Sequence, residues 1–140
     1  MSTMTIVRRI AADPQTVYDL MTTAEGLKQW IGPDDGPVLA ADADASVGGH
    51  FRFRFKTLDG KEHESTGEYL EVDAPHRVVM RWRWRDEPHA SKVEIDIKPV
   101  ADETDVHFRH EGLPGHEAAE NHREGWDGAL DKLVAAAEGG

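Results

Sequence analysis

The chain has 140 residues, of which 39% are hydrophobic and 31% charged, and its 27 acidic side chains outnumber 16 basic ones to give a net charge of −11. This length and balance predict one soluble domain over residues 1–140, and the negative charge argues against nucleic acid or an anionic membrane as a partner. Because the sequence contains no cysteine, disulfides, thiolate metal sites and cysteine nucleophiles are excluded.

The N-terminal segment has no apolar run long enough for a signal peptide, and no apolar stretch of about 18 residues occurs anywhere in the sequence. We therefore expect a cytoplasmic protein without a membrane span, which the absence of cysteine also suits. The strong net charge favours a monomer or a homodimer over larger assemblies.

The first elements are a short strand and two helices. Residues 5–10 are β-prone, and Asp13 followed by Pro14 combines a preferred N-cap residue with proline at the first helical position. The apolar face that follows predicts a helix as far as about Thr22. A second short helix, stopped by the Gly-Pro pair at 32–33, is predicted from three apolar residues, Leu27, Trp30 and Ile31.

From residue 38 the hydrophobic pattern changes to a period of two, which predicts half-buried antiparallel strands. Turn signals such as Asp59-Gly60 and Glu87-Pro88 separate them at hairpin spacing, so the strands are expected to form a meander. The predicted strand segments are 38–45, 51–56, 62–72, 77–85, 91–100 and 104–111.

Residues 115–138 lack proline and carry apolar residues at spacings of four and three, which predicts an amphipathic helix of about six turns. Its expected anchors are Trp126, Leu130 and Leu133. A sheet with one apolar face needs cover, and this helix is the only predicted element long enough to supply it. The predicted fold is therefore α+β, a curved six- to seven-stranded antiparallel sheet packed against a long C-terminal helix, with two short helices after the first strand. Because one helix cannot fill a broad curved sheet, a cavity between them is expected.

The order and spacing of six stretches resemble a known group, the START-like helix-grip (SRPBCC) superfamily, and within it the bacterial proteins related to the activator of heat-shock-protein ATPase. These stretches are Ile10–Tyr18, Leu27–Trp30, Val47–Phe53, Gly67–Val72, Ala74–Arg77 and Glu124–Leu133. The resemblance implies a sheet that grips a C-terminal helix around a cavity. Members of the superfamily bind lipids, sterols, polyketides or hormones, some are cyclases or hydrolases, and others bind proteins, so the resemblance leaves the activity open.

The inward-facing aromatic residues have two interpretations. Most are expected to fill the core, because alternation of apolar residues alone predicts packing. A subset is expected to line a ligand cavity together with two histidines, His110 by strand parity with Phe108 and His122 because it lies four residues before Trp126. The predicted ligand-cavity residues are Trp30, Phe53, Met80, Trp82, Phe108, His110, His122 and Trp126.

Neither a metal site nor a cofactor site is predicted. The segment from His116 to Glu120 is a near miss to the zinc-protease motif, since position 120 is glutamate, and no phosphate-binding glycine loop or nucleophile elbow occurs. The stripe of Glu117, Glu120 and Glu124 is expected to face water, and the catalytic residues, if any exist, are unknown. A basic row alternates with the inward aromatics and is expected on the outer face of the sheet: Arg52, Arg54, Lys56, Arg81, Arg83 and Arg85. These side chains are expected to pair with cross-strand acids such as Glu94 and Asp96, with an anion-binding patch as the alternative.

The predicted function is therefore binding of a small hydrophobic or amphipathic molecule between the C-terminal helix and the sheet. Two alternatives remain open. One is a cyclase- or hydrolase-like enzyme that uses polar residues in the same cavity. The other is a chaperone-linked protein-binding module, which would need an exposed apolar or basic patch.

Overall fold

Residues 2–85 and 90–139 are described by a computed structural model. The strands of this part of the chain are β1 (Ser2–Ile10), β2 (Val38–Ala43), β3 (His50–Lys56), β4 (Glu62–Asp73), β5 (Arg77–Trp84), β6 (Ser91–Val100) and β7 (Glu103–Leu113). The helices are α1 (Pro14–Thr22), α2 (Ala24–Leu27) and α3 (His116–Gly139). The turn predicted at Glu87-Pro88 lies outside the described residues.

All seven strands form one sheet in the order β1-β7-β6-β5-β4-β3-β2. Every neighbouring pair is antiparallel, so β2 to β7 form the predicted meander, and β7 pairs on its other side with β1. With two short helices after β1 and one long helix at the end, the predicted α+β helix-grip fold is confirmed.

Helix α1 begins at its predicted capping residue, and α2 begins at a capping residue that was not predicted from the sequence. The Asp13 carboxylate accepts a hydrogen bond from the Thr16 backbone N–H at 2.7 Å and caps α1. The Thr23 hydroxyl accepts from the Gly26 N–H at 3.0 Å and caps α2. Helix α2 ends at Leu27, earlier than predicted. The turn that follows mixes bonds three residues back, as from the Gln29 N–H to the Gly26 carbonyl, with a bond four residues back from the Ile31 N–H to the Leu27 carbonyl.

Helix α3 covers the inner face of the sheet, which we define as the face that carries the alternating aromatic residues. Trp126, Leu130 and Leu133 are its predicted anchors, and each is buried, with at most 7% of its surface exposed. Burial of a leucine side chain contributes roughly 1.5–3 kcal/mol, so these anchors account for much of the attachment of α3. The glutamates of the predicted water-facing stripe, Glu117, Glu120 and Glu124, are exposed.

The outer face of the sheet carries the predicted basic row, and four of its arginines pair with acids on β4. The acids expected as partners, Glu94 and Asp96, lie beside Arg77 instead. From the two strands next to β4, Arg52 on β3 contacts Glu64, and Arg81 on β5 contacts Glu68 at 3.2 Å. Glu64 also lies 3.9 Å from Arg85, and Arg54 lies 3.8 Å from Glu62. This cross-strand pairing is the interpretation that the sequence favoured over an anion-binding patch.

No helix in residues 2–85 and 90–139 combines the length and apolar character that crossing a membrane would require.

Candidate functional site

A partly open cleft of about 490 Å³ lies between the first half of α3 and one end of the sheet. Its apolar walls come from the loop after α2, the end of β3, the end of β5 and the helix itself: Ile31, Pro33, Phe55, Trp84, Gly125, Trp126 and Ala129. Polar side chains enter from β4 and from the first turns of α3, and they include His63, Asn121 and His122. The cleft therefore combines an aromatic interior with a few hydrogen-bonding groups.

The aromatic rings along this cleft contact one another in a continuous row. Phe55 stacks on His63 with ring centroids 5.2 Å apart and meets the edge of Trp84 at 6.1 Å. Trp84 in turn lies 6.2 Å from His122. Because aromatic pairs at these separations stabilise each other, the row forms a wall with a fixed shape.

Deeper between α3 and the sheet, aromatic side chains fill nearly all of the space. A void of about 20 Å³ lies among them, and it is bounded by residues from α1, α2, the loop that follows, and the central strands. Two residues, Ile31 and Trp126, line both the void and the cleft. The interior is thus divided into an outer cleft and a small inner void, with Trp126 at the division.

The predicted ligand-cavity residues are distributed over these two spaces. His122 and Trp126 line the cleft. Four others line the inner void, namely Trp30, Met80, Trp82 and Phe108. The remaining two, Phe53 and His110, are fully buried behind these walls, with 2% and 0% of their surface exposed.

His110 is the centre of a buried hydrogen-bond chain that runs from α3 to β5. The Trp126 indole N–H donates to His110 Nδ1 at 3.1 Å, and His110 Nε2 lies 2.6 Å from the Ser91 hydroxyl. An indole nitrogen can only donate, so Nδ1 carries no proton and the neutral ring is protonated on Nε2. His110 therefore donates to Ser91, whose hydroxyl is 3.5 Å from the Trp82 carbonyl.

Burial keeps His110 neutral. Desolvation, and to a smaller extent the charge interaction with His122, whose ring lies 4.9 Å away, together lower the pKa of His110 from 6.5 to about 3. The neutral state agrees with the hydrogen-bond chain, because a doubly protonated ring could not accept from Trp126.

The direction of this chain matters for a hydrolase-like mechanism. In a serine–histidine pair the histidine must present an unprotonated nitrogen to the hydroxyl, and a third group accepts the proton of the other ring nitrogen. Here the third group, Trp126, donates instead, so His110 presents a proton to Ser91. Ser91 is consequently not activated as a nucleophile by His110.

The loop that forms one wall of the cleft is held against α3 and against the β3–β4 hairpin. Lys132 Nζ donates to the carbonyls of Ile31 at 3.1 Å and Asp34 at 2.5 Å, and burial lowers the pKa of this lysine. The Asp34 carboxylate accepts from the Leu58 backbone N–H at 3.0 Å. These contacts fix the position of Pro33, which lies between them in the sequence.

Several cleft residues were not selected from the sequence. Phe55 and Trp84 continue the alternation that placed Phe53 and Trp82 inside, so strand parity identified them as inward but could not show that their end of the sheet stays open. His63 and Asn121 carried no signal, because single polar residues in exposed segments are usually surface residues. Among residues 2–85 and 90–139, no three histidine or carboxylate side chains converge in a way that could hold a metal ion.

A seven-stranded antiparallel sheet crossed by a long C-terminal helix, with a cleft at their junction, defines the START-like helix-grip (SRPBCC) class. The family model described as "Activator of Hsp90 ATPase homolog 1-like protein" matches residues 11–138. The chain belongs to this family.

Known relatives agree with this placement. The Activator of 90 kDa heat shock protein ATPase homolog 2 of Mus musculus is 30% identical over 63 residues, a match that covers 44% of this chain and 18% of the mouse protein. A crystal structure from Chromobacterium violaceum is 28% identical, covers 97% of this chain and 96% of its own, and superposes with a TM-score of 0.89. An AHSA1 protein from Silicibacter pomeroyi is 25% identical over 96% of both chains, with a TM-score of 0.86.

A more distant relative shares the fold alone. The solution structure of an Aha1 dimer from Colwellia psychrerythraea is 19% identical, covers 99% of this chain and 97% of its own, and has a TM-score of 0.76.

Proposed function

We propose that this protein binds a small hydrophobic or amphipathic molecule in the cleft between the first half of α3 and the end of the sheet. The observation that carries the proposal is the cleft itself. Its volume of about 490 Å³ lies within the range of small-molecule sites, which are mostly apolar with a few polar groups that orient the ligand.

The charges at the rim of the cleft favour a ligand that carries little net charge. Glu64 has its pKa lowered by the hydrogen bond from Arg52, and it also lies near Arg85. Glu62 lies beside Arg54. Because each rim carboxylate has an arginine next to it, neither a strongly anionic nor a strongly cationic ligand gains a large electrostatic advantage. His63, Asn121 and His122 can instead offer hydrogen bonds to a hydroxyl or carbonyl group.

The two alternative functions have less support. The enzyme alternative loses its most suggestive pair, because His110 donates to Ser91. The protein-binding alternative, which the names of the family and of the mouse relative suggest, would be supported by a contiguous exposed apolar patch. The structure has four exposed large apolar residues among those it describes: Val7 on β1, at one edge of the sheet, Leu39 on β2, at the other edge, and Val47 and Leu58 in the turns before and after β3.

Two measurements on the purified protein test the proposal. Native mass spectrometry of freshly purified protein is expected to show a co-purified small molecule. Titration with the uncharged fluorophore N-phenyl-1-naphthylamine is expected to show saturable binding, because this probe brightens in apolar sites. If both measurements give no binding to the wild-type chain, the proposal is wrong.

A pair of helix variants locates the binding. A side chain added at Gly125 has room to project into the cleft, since its Cβ would meet only Pro33 at 3.8 Å. Gly125→Leu is therefore expected to weaken binding of the fluorophore at least about tenfold. Ala135→Leu, on an exposed position of the same helix, is the matched control and is expected to leave binding unchanged. Equal effects of the two variants would place the fluorophore elsewhere.

A further inference from the structure

The division between cleft and inner void is made by a side chain that is held in place from several directions. The Trp126 ring lies 4.5 Å from Phe108 and 5.0 Å from Trp82, measured between ring centroids. Its N–H is bound to the Nδ1 atom of buried His110. An indole with packing on its faces and a hydrogen bond on its edge keeps one orientation, so it acts as a fixed end wall for the cleft.

Behind this wall the void has the properties of an apolar binding site that has been closed off. Its lining is almost entirely apolar and includes Met21 and Met80. Methionine side chains are unbranched and adaptable, so they can move to make room for an incoming apolar group. Without the Trp126 indole, the void and the cleft would form one continuous space.

We propose that Trp126 determines the length of the ligand that the cleft accepts. This inference depends on the proposed function and adds a specificity-determining residue to it. The polar end of the ligand lies near His63, Asn121 and His122, and its apolar tail runs inward until it meets the face of Trp126. When the tail is longer than this distance, the carbons nearest the polar end are left outside the cleft in water, where they add nothing to affinity.

A series of straight-chain primary alcohols from hexanol to tetradecanol measures the depth of the site, through displacement of N-phenyl-1-naphthylamine. Each buried methylene tightens binding about fourfold. In the wild-type protein, affinity is expected to rise with chain length and then reach a plateau where the tail meets Trp126. In Trp126→Leu, the rise is expected to continue for at least about two further methylenes, which is about 15-fold in affinity.

Leu130→Ala is the matched control. Leu130 lies one turn after Trp126 on the same helix, has 1% of its surface exposed, and lines neither the cleft nor the void. Both variants shorten a buried side chain of α3, but only Trp126→Leu removes the wall. Leu130→Ala is expected to keep the wild-type plateau length.

The outcomes separate the two proposals. Alcohols that bind with the same plateau length in the wild type and in Trp126→Leu would overturn the role of Trp126 while leaving the proposed function intact. Failure of every alcohol and of the fluorophore to bind the wild type would overturn both. If Trp126→Leu does not fold, as judged by circular dichroism, Trp126→Phe replaces it, with an expected extension of about one methylene.

Discussion

Acidification from pH 7.5 to pH 5.0 is expected to lower the free energy of unfolding by about 2 kcal/mol through His110 alone. The pKa of this residue falls from 6.5 to about 3 on folding, because the ring is buried. Between these two values the unfolded chain binds a proton that the folded protein excludes. The contribution of His110 to stability is therefore fully present well above pH 6.5 and is lost as the pH falls through 6.5 toward 3.

The size of this loss in the free energy of unfolding depends mainly on how far His110 is protonated in the unfolded chain. Below pH 6.5 the loss approaches about 1.4 kcal/mol for each pH unit, and by pH 5.0 the unfolded histidine is almost fully protonated. Any pKa below about 4 in the folded protein gives the same result at this pH. The expected loss of stability at pH 5.0 is therefore insensitive to how far below about 4 the pKa of His110 lies in the folded protein.

The assay is urea unfolding at the two pH values, followed by tryptophan fluorescence, for the wild type and for His110→Gln. Glutamine can accept from Trp126 and donate to Ser91, but it does not titrate. Every other histidine and carboxylate is common to both proteins, so the difference in pH dependence reports position 110 together with its charge interaction with His122. If the two proteins lose the same stability between pH 7.5 and pH 5.0, the proposed neutral, buried His110 is wrong.

Two further predictions concern the contacts between α3 and the loop after α2. Gly125→Ala is expected to raise the free energy of unfolding by about 0.5–1 kcal/mol through helix propensity, because its Cβ meets only Pro33 at 3.8 Å. Gly128→Ala is expected to lower the free energy of unfolding by about 1–3 kcal/mol, because its Cβ would lie 2.1 Å from the Pro33 carbonyl oxygen. If urea unfolding shows the same change in stability for both alanine variants, Pro33 is not packed against Gly128. Lys132→Met should cost about 1–2 kcal/mol by leaving the carbonyls of the loop without their donor, and should speed hydrogen exchange at the Leu58 amide. Lys28→Met, at an exposed lysine with a 3.8 Å contact to Glu25, is the control and is expected to change stability by less than about 0.5 kcal/mol.

Much of the fold could be predicted because its signals are local in the sequence. Alternation in Phe51, Phe53 and Phe55 fixes which strand face is buried, since side chains on a strand point to opposite sides in turn. The spacing of Trp126, Leu130 and Leu133 fixes the buried stripe of α3 in the same way. Strand parity also placed His110 inside, where the structure has it fully buried.

The binding cleft required information that no local pattern contains. Parity predicted that Trp82 and Trp84 both face inward, but only the crossing of α3 over the sheet leaves Trp84 beside open space while Trp82 is packed beneath Trp126. Whether the interior is filled or empty depends on the combined volume of side chains from many strands, which is a property of the assembled core.

The sequence by itself determined the order of the elements, the buried face of each, and the family to which the chain belongs. These features could be predicted because hydrophobic periodicity and motif spacing are patterns among residues that lie close together in the sequence. Only the tertiary structure decided the protonation and role of His110 and the place of Lys132. The bond from Trp126 to His110 spans 16 residues, and the bond from Lys132 to Ile31 spans 101. Contacts between residues so far apart exist only after the helix has packed on the sheet, and they are the contacts that shape the cleft.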